Sequence, residues 1–303
     1  MMDPMTASVR TSSGGYDLEL RLDRAELLPG RLVDGTLHIT AQRDQAIRGA
    51  RVTLGGTERW RYDRTTTDAD GHTRTETVEG SAQLPPEAFA VLGPTTFAAG
   101  ETREVAFQLP VPGLGPATFE ATELGVEWQV RANLDVGGLD PSVGMVVRVL
   151  QPTALLRAGV VDVAEFALYP EAHTETEGFA GSIWLDPSPL CIGAPFKGRI
   201  TLEAAPSRKV QEVRLELRVR AKATVGGGRA ETITMWSGVV AGPGDFGGAQ
   251  VISFEGELPE RWLPTIETEH GRADAAFHVI IATAFARDPH LIRDVAVCST
   301  TEL

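Results

Sequence analysis

Several things are scarce in this chain. Cysteine occurs twice in 303 residues, as Cys191 and Cys298. Two such residues make neither a disulfide framework nor a Cys-x-x-Cys metal or redox pair. They read as free thiols in a reducing compartment, with a tie inside the second half as the alternative. Lysine is rarer than expected: Lys197, Lys209 and Lys222 are the only three among 28 basic residues, an arginine bias of the kind GC-rich bacterial genomes produce. Long apolar runs are missing as well. The longest, around Val279 to Ala286, is far short of the roughly 20 residues that span a bilayer. The opening Met1 to Gly15 is polar, without the charged flank and apolar core of a secretory signal. The expectation is a cytoplasmic bacterial protein with no direct membrane insertion, and residues 1–15 a disordered tail.

Positive charge is in short supply too. The 28 basic and 41 acidic residues leave a net charge of −13. Residues 1–155 hold 14 basic and 21 acidic groups, and residues 156–303 hold 14 and 20, so neither half is a basic platform. An evenly acidic surface repels phosphate backbones and anionic headgroups, which argues against nucleic acid or bare membrane as the main ligand.

Catalytic and ligand-binding signatures are absent in the same way. The six histidines, His38, His72, His173, His270, His278 and His290, show no metal-ligand spacing, and His278 reads as a semi-buried, hydrogen-bonded strand residue. Asp68-Ala69-Asp70-Gly71 looks like the middle of a calcium loop, but Thr66 and Thr77 stand where its first and last ligands are needed. A plain turn is the better reading. Gly242-Pro243-Gly244-Asp245-Phe246-Gly247 satisfies Gly-x-Gly-x-x-Gly, yet a strand pattern follows instead of the helix that would hold a pyrophosphate, so it reads as a hairpin loop. No nucleophile elbow or phosphate loop occurs, and acidic pairs such as Glu267 and Glu269 are commonplace in an acidic chain. The expectation is no catalytic residue, no cofactor, no metal and no enzyme.

What the chain does have is alternation. Leu124, Val126, Trp128, Val130, Ala132, Leu134 and Val136 alternate with polar residues, a period of two that puts one face of a strand in a core and the other in water. Tyr16, Leu18, Leu20, Leu22 and Val213, Leu215, Leu217, Val219 do the same. Turn pairs such as Pro29-Gly30, Asp34-Gly35, Asp70-Gly71 and Gly137-Gly138 punctuate the runs, so short, numerous strands are expected. One helix is expected, over Pro85 to Leu92, with proline at its start and Gly93-Pro94 at its end. The pattern is that of an all-β protein, and the length favours two domains.

A self-comparison supports a duplication. PGRLVDGTLHIT around Gly30 reappears 163 residues later as GAPFKGRITLEA, aligning Gly30 and Gly35 with Gly193 and Gly198. Leu109-Pro110 and the Trp128 strand match Leu258-Pro259 and the Phe277 strand at an offset of 149. The second copy is then 14 residues shorter, and the extra length falls between Trp60 and Gly100 of the first.

These segments carry a resemblance. PGRLVDGTLHIT, RGARVTLGGTERW, FQLPVP, PATFEATELGVEWQVRANLDVGG and VVRVLQP resemble the arrestin N-terminal domain; GAPFKGRITLEA, VRLELRV, ELPERWLPTIE and FHVIIATAF resemble its C-terminal domain more loosely. The resemblance extends over Tyr16 to Val297 and implies two tandem immunoglobulin-like β-sandwich domains, as in arrestins, the retromer cargo-sorting subunit and bacterial sporulation-control proteins. The domains are placed at 16–152 and 153–303. Such proteins are adaptors and scaffolds. The chain departs from the pattern in lacking a Pro-Pro-x-Tyr motif, in carrying Arg21 and Arg24 where receptor-binding arrestins resemble a lysine-rich phosphate sensor, and in its polar start, unlike the amphipathic one of sporulation-control relatives.

The stretch expected to meet a partner is Glu58 to Glu79, which by resemblance occupies the place of the arrestin finger loop. Arg59, Trp60, Arg61, Tyr62, Arg64, His72 and Arg74 supply the residue types that dominate interface energetics. A solvated hairpin with aromatics packed at its base is the alternative. The functional expectation is an adaptor that binds another protein through loops, sheet edges or an inter-domain groove. A self-associating subunit of a bacterial assembly, a possible homo-oligomer, and a small-ligand or sugar-binding module are the other readings.

Overall fold

A computed structural model describes residues 7–153, 165–171, 178–284 and 288–301; His173 and the end of the Val279 to Ala286 run lie outside them. The chain is all-β, with 70% in strands and no α-helix among the described residues. It forms two compact units: Met1–Arg59 with Gly80–Thr118 and Gly125–Leu150, and Trp60–Glu79 with Phe119–Leu124 and Gln151–Leu303.

The first strands are β1 (Ala7–Ser13), β2 (Tyr16–Leu22), β3 (Glu26–Leu27), β4 (Leu32–Ala41) and β5 (Gln45–Ile47). A long hairpin follows, β6 (Gly49–Thr67) and β7 (Thr73–Leu92), and then β8 (Thr95–Phe97), β9 (Thr102–Pro110), β10 (Phe119–Glu120), β11 (Leu124–Asp135) and β12 (Ser142–Val149). Strands β1-β2-β4-β9 make one sheet; β6-β11-β12-β3 run through the other, with β7 beside β6. Leu18, Leu20 and Leu22 of β2, Leu37 and Ile39 of β4, Val52 and Leu54 of β6 and Val126 and Val130 of β11 are all buried. Each such side chain stabilises the sandwich by about 1.5–3 kcal/mol.

The second half contains β13 (Glu165–Ala167), β14 (Tyr169–Pro170), β15 (Phe179–Asp186), β16 (Leu190–Cys191), β17 (Pro195–Ala204), β18 (Arg208–Ala223) and β19 (Gly227–Gly228). It ends with β20 (Ala230–Ala241), β21 (Gly244–Phe246), β22 (Gln250–Glu257), β23 (Ile266–Glu267), β24 (Gly271–Thr283), β25 (His290–Val295) and β26 (Val297–Cys298). One sheet is β13-β15-β17-β22, the other β14-β25-β24-β18-β20. Phe196, Trp236, Phe254 and Phe277 fill the core between them, with ring centroids 5.3 to 6.4 Å apart.

The two copies share a set of main-chain hydrogen bonds. Gly30 N–H donates to Val111 O at 3.0 Å and Gly193 N–H to Leu258 O at 3.1 Å; Arg31 bonds Leu28 as Ala194 bonds Cys191, both at 3.2 Å. Farther on, Arg61 bonds Glu123 as Thr224 bonds His270, and Ala121 bonds Leu124 as Thr268 bonds Gly271. Gly30 and Gly193 share a left-handed backbone, φ 75° and 69°. Gly35 opposes Phe107 and Gly198 opposes Phe254 across paired strands. In both, the ring lies so close that a Cβ on the glycine would meet it at 2.3 or 2.4 Å.

These bonds correct the alignment. The early offset of 163 holds, but the later one is 147 as far as Leu134, matching Val111 with Leu258 and Val130 with Phe277, and 148 from Pro141 on, matching Val149 with Val297. The second copy is 16 residues shorter up to that strand (163 − 147) and 15 shorter over the whole repeat (163 − 148). A two-residue slip preserves every apolar and polar alternation, so the pattern alone could not detect it.

Four further expectations are corrected. Pro85 to Leu92 is the end of strand β7, and its prolines sit on an edge strand, where proline is tolerated. Strands are not uniformly short, since β6, β7 and β18 run to 19, 20 and 16 residues. Within the expected disordered tail, Ala7–Ser13 forms β1, paired with β2 from Ala7 opposite Leu22 to Ser13 opposite Tyr16. Its Ala7, Val9, Thr11 and Ser13 are the half-buried positions, a weak alternation too polar to register as a core strand. Gly242–Gly247 is also not a plain hairpin loop: its Gly244–Phe246 is strand β21, paired with β18 from Arg208 opposite Phe246 to Val210 opposite Gly244, and no helix follows it among the described residues.

A candidate partner-binding hairpin

Strand β6 has few polar breaks after Gly49 until Glu58, and then a run in which arginine, aromatic and threonine residues alternate. Threonine and aromatics favour extended backbone, so the strand continues to Thr67. The turn is built by Asp68, whose carboxylate accepts the N–H groups of Asp70 at 3.0 Å and His72 at 2.9 Å, while Gly71 takes φ 85°. Ligand atoms of Asp68, Asp70 and His72 lie within 4.8 Å of one another and all three residues are exposed. Asp68 to His72 is a turn, closed also by the Gly71 N–H bond to Asp68 O at 3.1 Å.

Beyond Asp63 the hairpin is a two-stranded ribbon, an arrangement that is marginal unless its cross-strand pairs hold it. Here they do. Arg64 pairs with Glu76, Thr65 Oγ1 meets Thr75 Oγ1 at 3.1 Å and Thr67 Oγ1 meets Thr73 Oγ1 at 3.3 Å. Arg64 keeps the Glu76 carboxyl below its ordinary range. Arg61 reaches Glu79 at 2.7 Å. Residues 64–75 are exposed throughout.

The base of the ribbon is fixed inside the second unit. The Trp60 ring stacks on His270, centroids 3.8 Å apart and 3° from parallel. Tyr62 lies over Gly226, where a Cβ would meet its Cδ2 at 2.3 Å and where φ is +60°. Tyr62 and Asp63 pair with Gly228 and Gly227. Arg229 then donates to Asp63 at 3.3 Å, to Thr77 at 3.2 Å and to Glu123 at 3.0 Å. Asp63 first, and then Glu123, raise the proton affinity of its guanidinium further. Glu231 accepts the Thr122 N–H at 2.7 Å, closing the same cluster.

The seven residues expected at the interface thus divide. Trp60 and Tyr62 pack against their own chain, Arg59 lies 3.5 Å from Glu127, and Arg61 and Arg64 have carboxylate partners. His72, 3.4 Å from Asp68, and Arg74 are at the exposed end. Sequence reading missed Arg229, His270, Glu231 and Gly226. The one available signal was an arginine directly after Gly226-Gly227-Gly228, and nothing in its spacing tied it to residues so far away in the chain.

Strand β7 pairs only with β6 among the described residues, so its outer side is an open edge along 20 residues. Pro85 and Pro86 blunt one end of that edge, leaving the distal part with unpaired backbone groups. No helix among the described residues is long and apolar enough to cross a membrane.

Residues 6–142, within the first half of the chain, match the model of the family described as SpoOM protein. That stretch is therefore similar to sporulation-control proteins of arrestin-like fold, in keeping with the bacterial part of the resemblance. No curated protein matches the chain.

Proposed function

We propose that this chain is a non-enzymatic, cytoplasmic adaptor of arrestin-like type that takes up an extended segment of a partner protein along the distal edge of β7. The observation that carries this is the open outer side of β7 on a ribbon whose base is anchored by Trp60, Tyr62 and Arg229. An exposed edge offers main-chain hydrogen bonds to an incoming strand, and an anchored edge loses little freedom on binding. His72 and Arg74 at the tip would add side-chain selection. The similarity of residues 6–142 to sporulation-control proteins agrees with a regulatory rather than a catalytic role.

The test is capture from native lysate with crosslinking, using the full chain and an Arg64→Ala/His72→Ala/Arg74→Ala variant side by side. A protein retained by the first and lost at least tenfold by the second is the expected result. No specific protein at micromolar bait, or equal retention by both, overturns the assignment. The same open edge also favours a second reading, pairing of β7 with β7 of another copy, for which light scattering would find a discrete dimer abolished by the triple variant.

A further inference from the structure

The two cysteines are direct register partners. Strands β16 and β26 pair in parallel, Leu190 with Val297 and Cys191 with Cys298. Neighbouring strands lie about 4.8 Å apart, within the roughly 4.4–6.8 Å Cα separation that a disulfide bridges. Both side chains are free and buried. The repeat makes this placement informative. Strands β3 and β12 are the matching parallel pair of the first copy, with Leu27 opposite Val149 as Leu190 is opposite Val297. One residue further along each strand, Leu28 and Leu150 stand where the second copy has Cys191 and Cys298, and both leucines are buried. Packing at this position is satisfied by an apolar pair. The second copy replaces both leucines, and places there the only two cysteines of the sequence.

The pair is asymmetric. Cys191 is 8% exposed and Cys298 is fully buried, so a small reagent meets Cys191 first. The Cys298 thiol lies 3.2 Å from Leu190 O, to which it donates. That single S–H is shared with the Cys191 sulfur, which lowers the Cys191 thiol, while the same interaction and burial push Cys298 up. Of the two sulfurs, the reachable one, Cys191, is thus the more readily ionised, and Cys298 stands behind it.

We propose that Cys191 and Cys298 form a hydroperoxide-responsive dithiol site that closes to a disulfide. The Cys191 thiolate attacks the peroxide, the O–O bond breaks, and Cys191 becomes a sulfenic acid while hydrogen peroxide gives hydroxide. Cys298 sulfur then attacks Cys191 sulfur; the S–O bond breaks, the S–S bond forms, and the departing hydroxide takes the Cys298 proton as water. Both sulfurs are oxidised by one electron each and the peroxide is reduced by two. The product ties β26 covalently to β16, beside Ser299, whose N–H bonds Gln151 O at 2.9 Å.

The full chain, reduced and then given a small excess of hydrogen peroxide, should lose both titratable thiols and 2 Da of intact mass, show one Cys191–Cys298 cross-linked peptide, and recover both thiols with dithiothreitol. Its melting midpoint should rise by roughly 5 °C or more on oxidation. Cys298→Ser should stop at a sulfenic acid on residue 191 that dimedone traps, and Cys191→Ser should react at least tenfold more slowly. A Cys191→Leu/Cys298→Leu variant, which restores the pair of the first copy, controls for folding and should show no midpoint shift with peroxide. Two thiols still titratable after treatment, a disulfide-linked dimer instead of the internal bond, or equal reactivity of the Cys191→Ser variant would overturn the proposal.

Discussion

One methyl group can measure how tightly each core closes on its glycine. Replacing Gly198 by alanine would put a Cβ 2.4 Å from Phe254 Cζ and 2.6 Å from Trp184 O, and Gly35→Ala one 2.3 Å from Phe107 Cζ. Each should lower the unfolding free energy by roughly 1–3 kcal/mol, read from denaturant midpoints. Gly137, where an added methyl would have nothing within 4 Å, should tolerate alanine within about 0.5 kcal/mol. A second residue-scale prediction concerns acid. Burial, and then the Arg218 charge, hold His278 below its ordinary 6.5. Burial tends to raise Glu171, but the His290 hydrogen bond, 2.9 Å long, and the charges of His278, His290 and Arg218 outweigh it and hold it below 4.5. Both are depressed in the folded state, so the unfolded chain binds more protons on acidification. Stability is full above pH 6.5, falls below it as His278 is disfavoured, and falls again below 4.5. Midpoints at about pH 7.5, 5.5 and 4 should decline in that order, and His278→Gln should remove the first step.

At the scale of elements, the ribbon should depend on its stem. Trp60→Ala removes the stack on His270, and Arg229→Ala removes the donor shared by Asp63, Thr77 and Glu123. Each should raise amide exchange over residues 64–75 at least tenfold while leaving the β2 and β4 amides of the other unit unchanged. Unchanged protection in the ribbon would show that its cross-strand threonine pairs suffice. The position of this element was readable, since its residue types and the excess length between Trp60 and Gly100 both marked it. Its anchoring was not. Tryptophan, tyrosine and arginine are as apt to dock a hairpin on its own chain as on another, and the residues that receive them, Gly226 and His270, lie far off in sequence. Pro85-Pro86 misled for a related reason: proline is tolerated at a helix start and on a strand edge, and only the topology distinguishes the two.

Across the whole molecule, the duplication predicts independent responses. Gly35 and Gly198 belong to different units, so the double alanine variant should lose the sum of the single losses within about 0.5 kcal/mol. Strand type and the first half of the repeat were legible because a period of two and paired glycines survive divergence. The second half was misaligned by two residues because strand patterning repeats every two, and only hydrogen bonds such as those of Gly193 and Leu258 fix the register.

The exposed tip from Thr67 to Thr73 has a practical corollary. Because its neighbours on either side are held by the Arg64 and Glu76 pair and by the stem below, the turn is a place where foreign peptide can be spliced in. An antibody epitope inserted between Ala69 and Asp70 should be displayed at full occupancy on a chain that still melts as the parent does, which would make this end a ready handle for labelling or immobilisation.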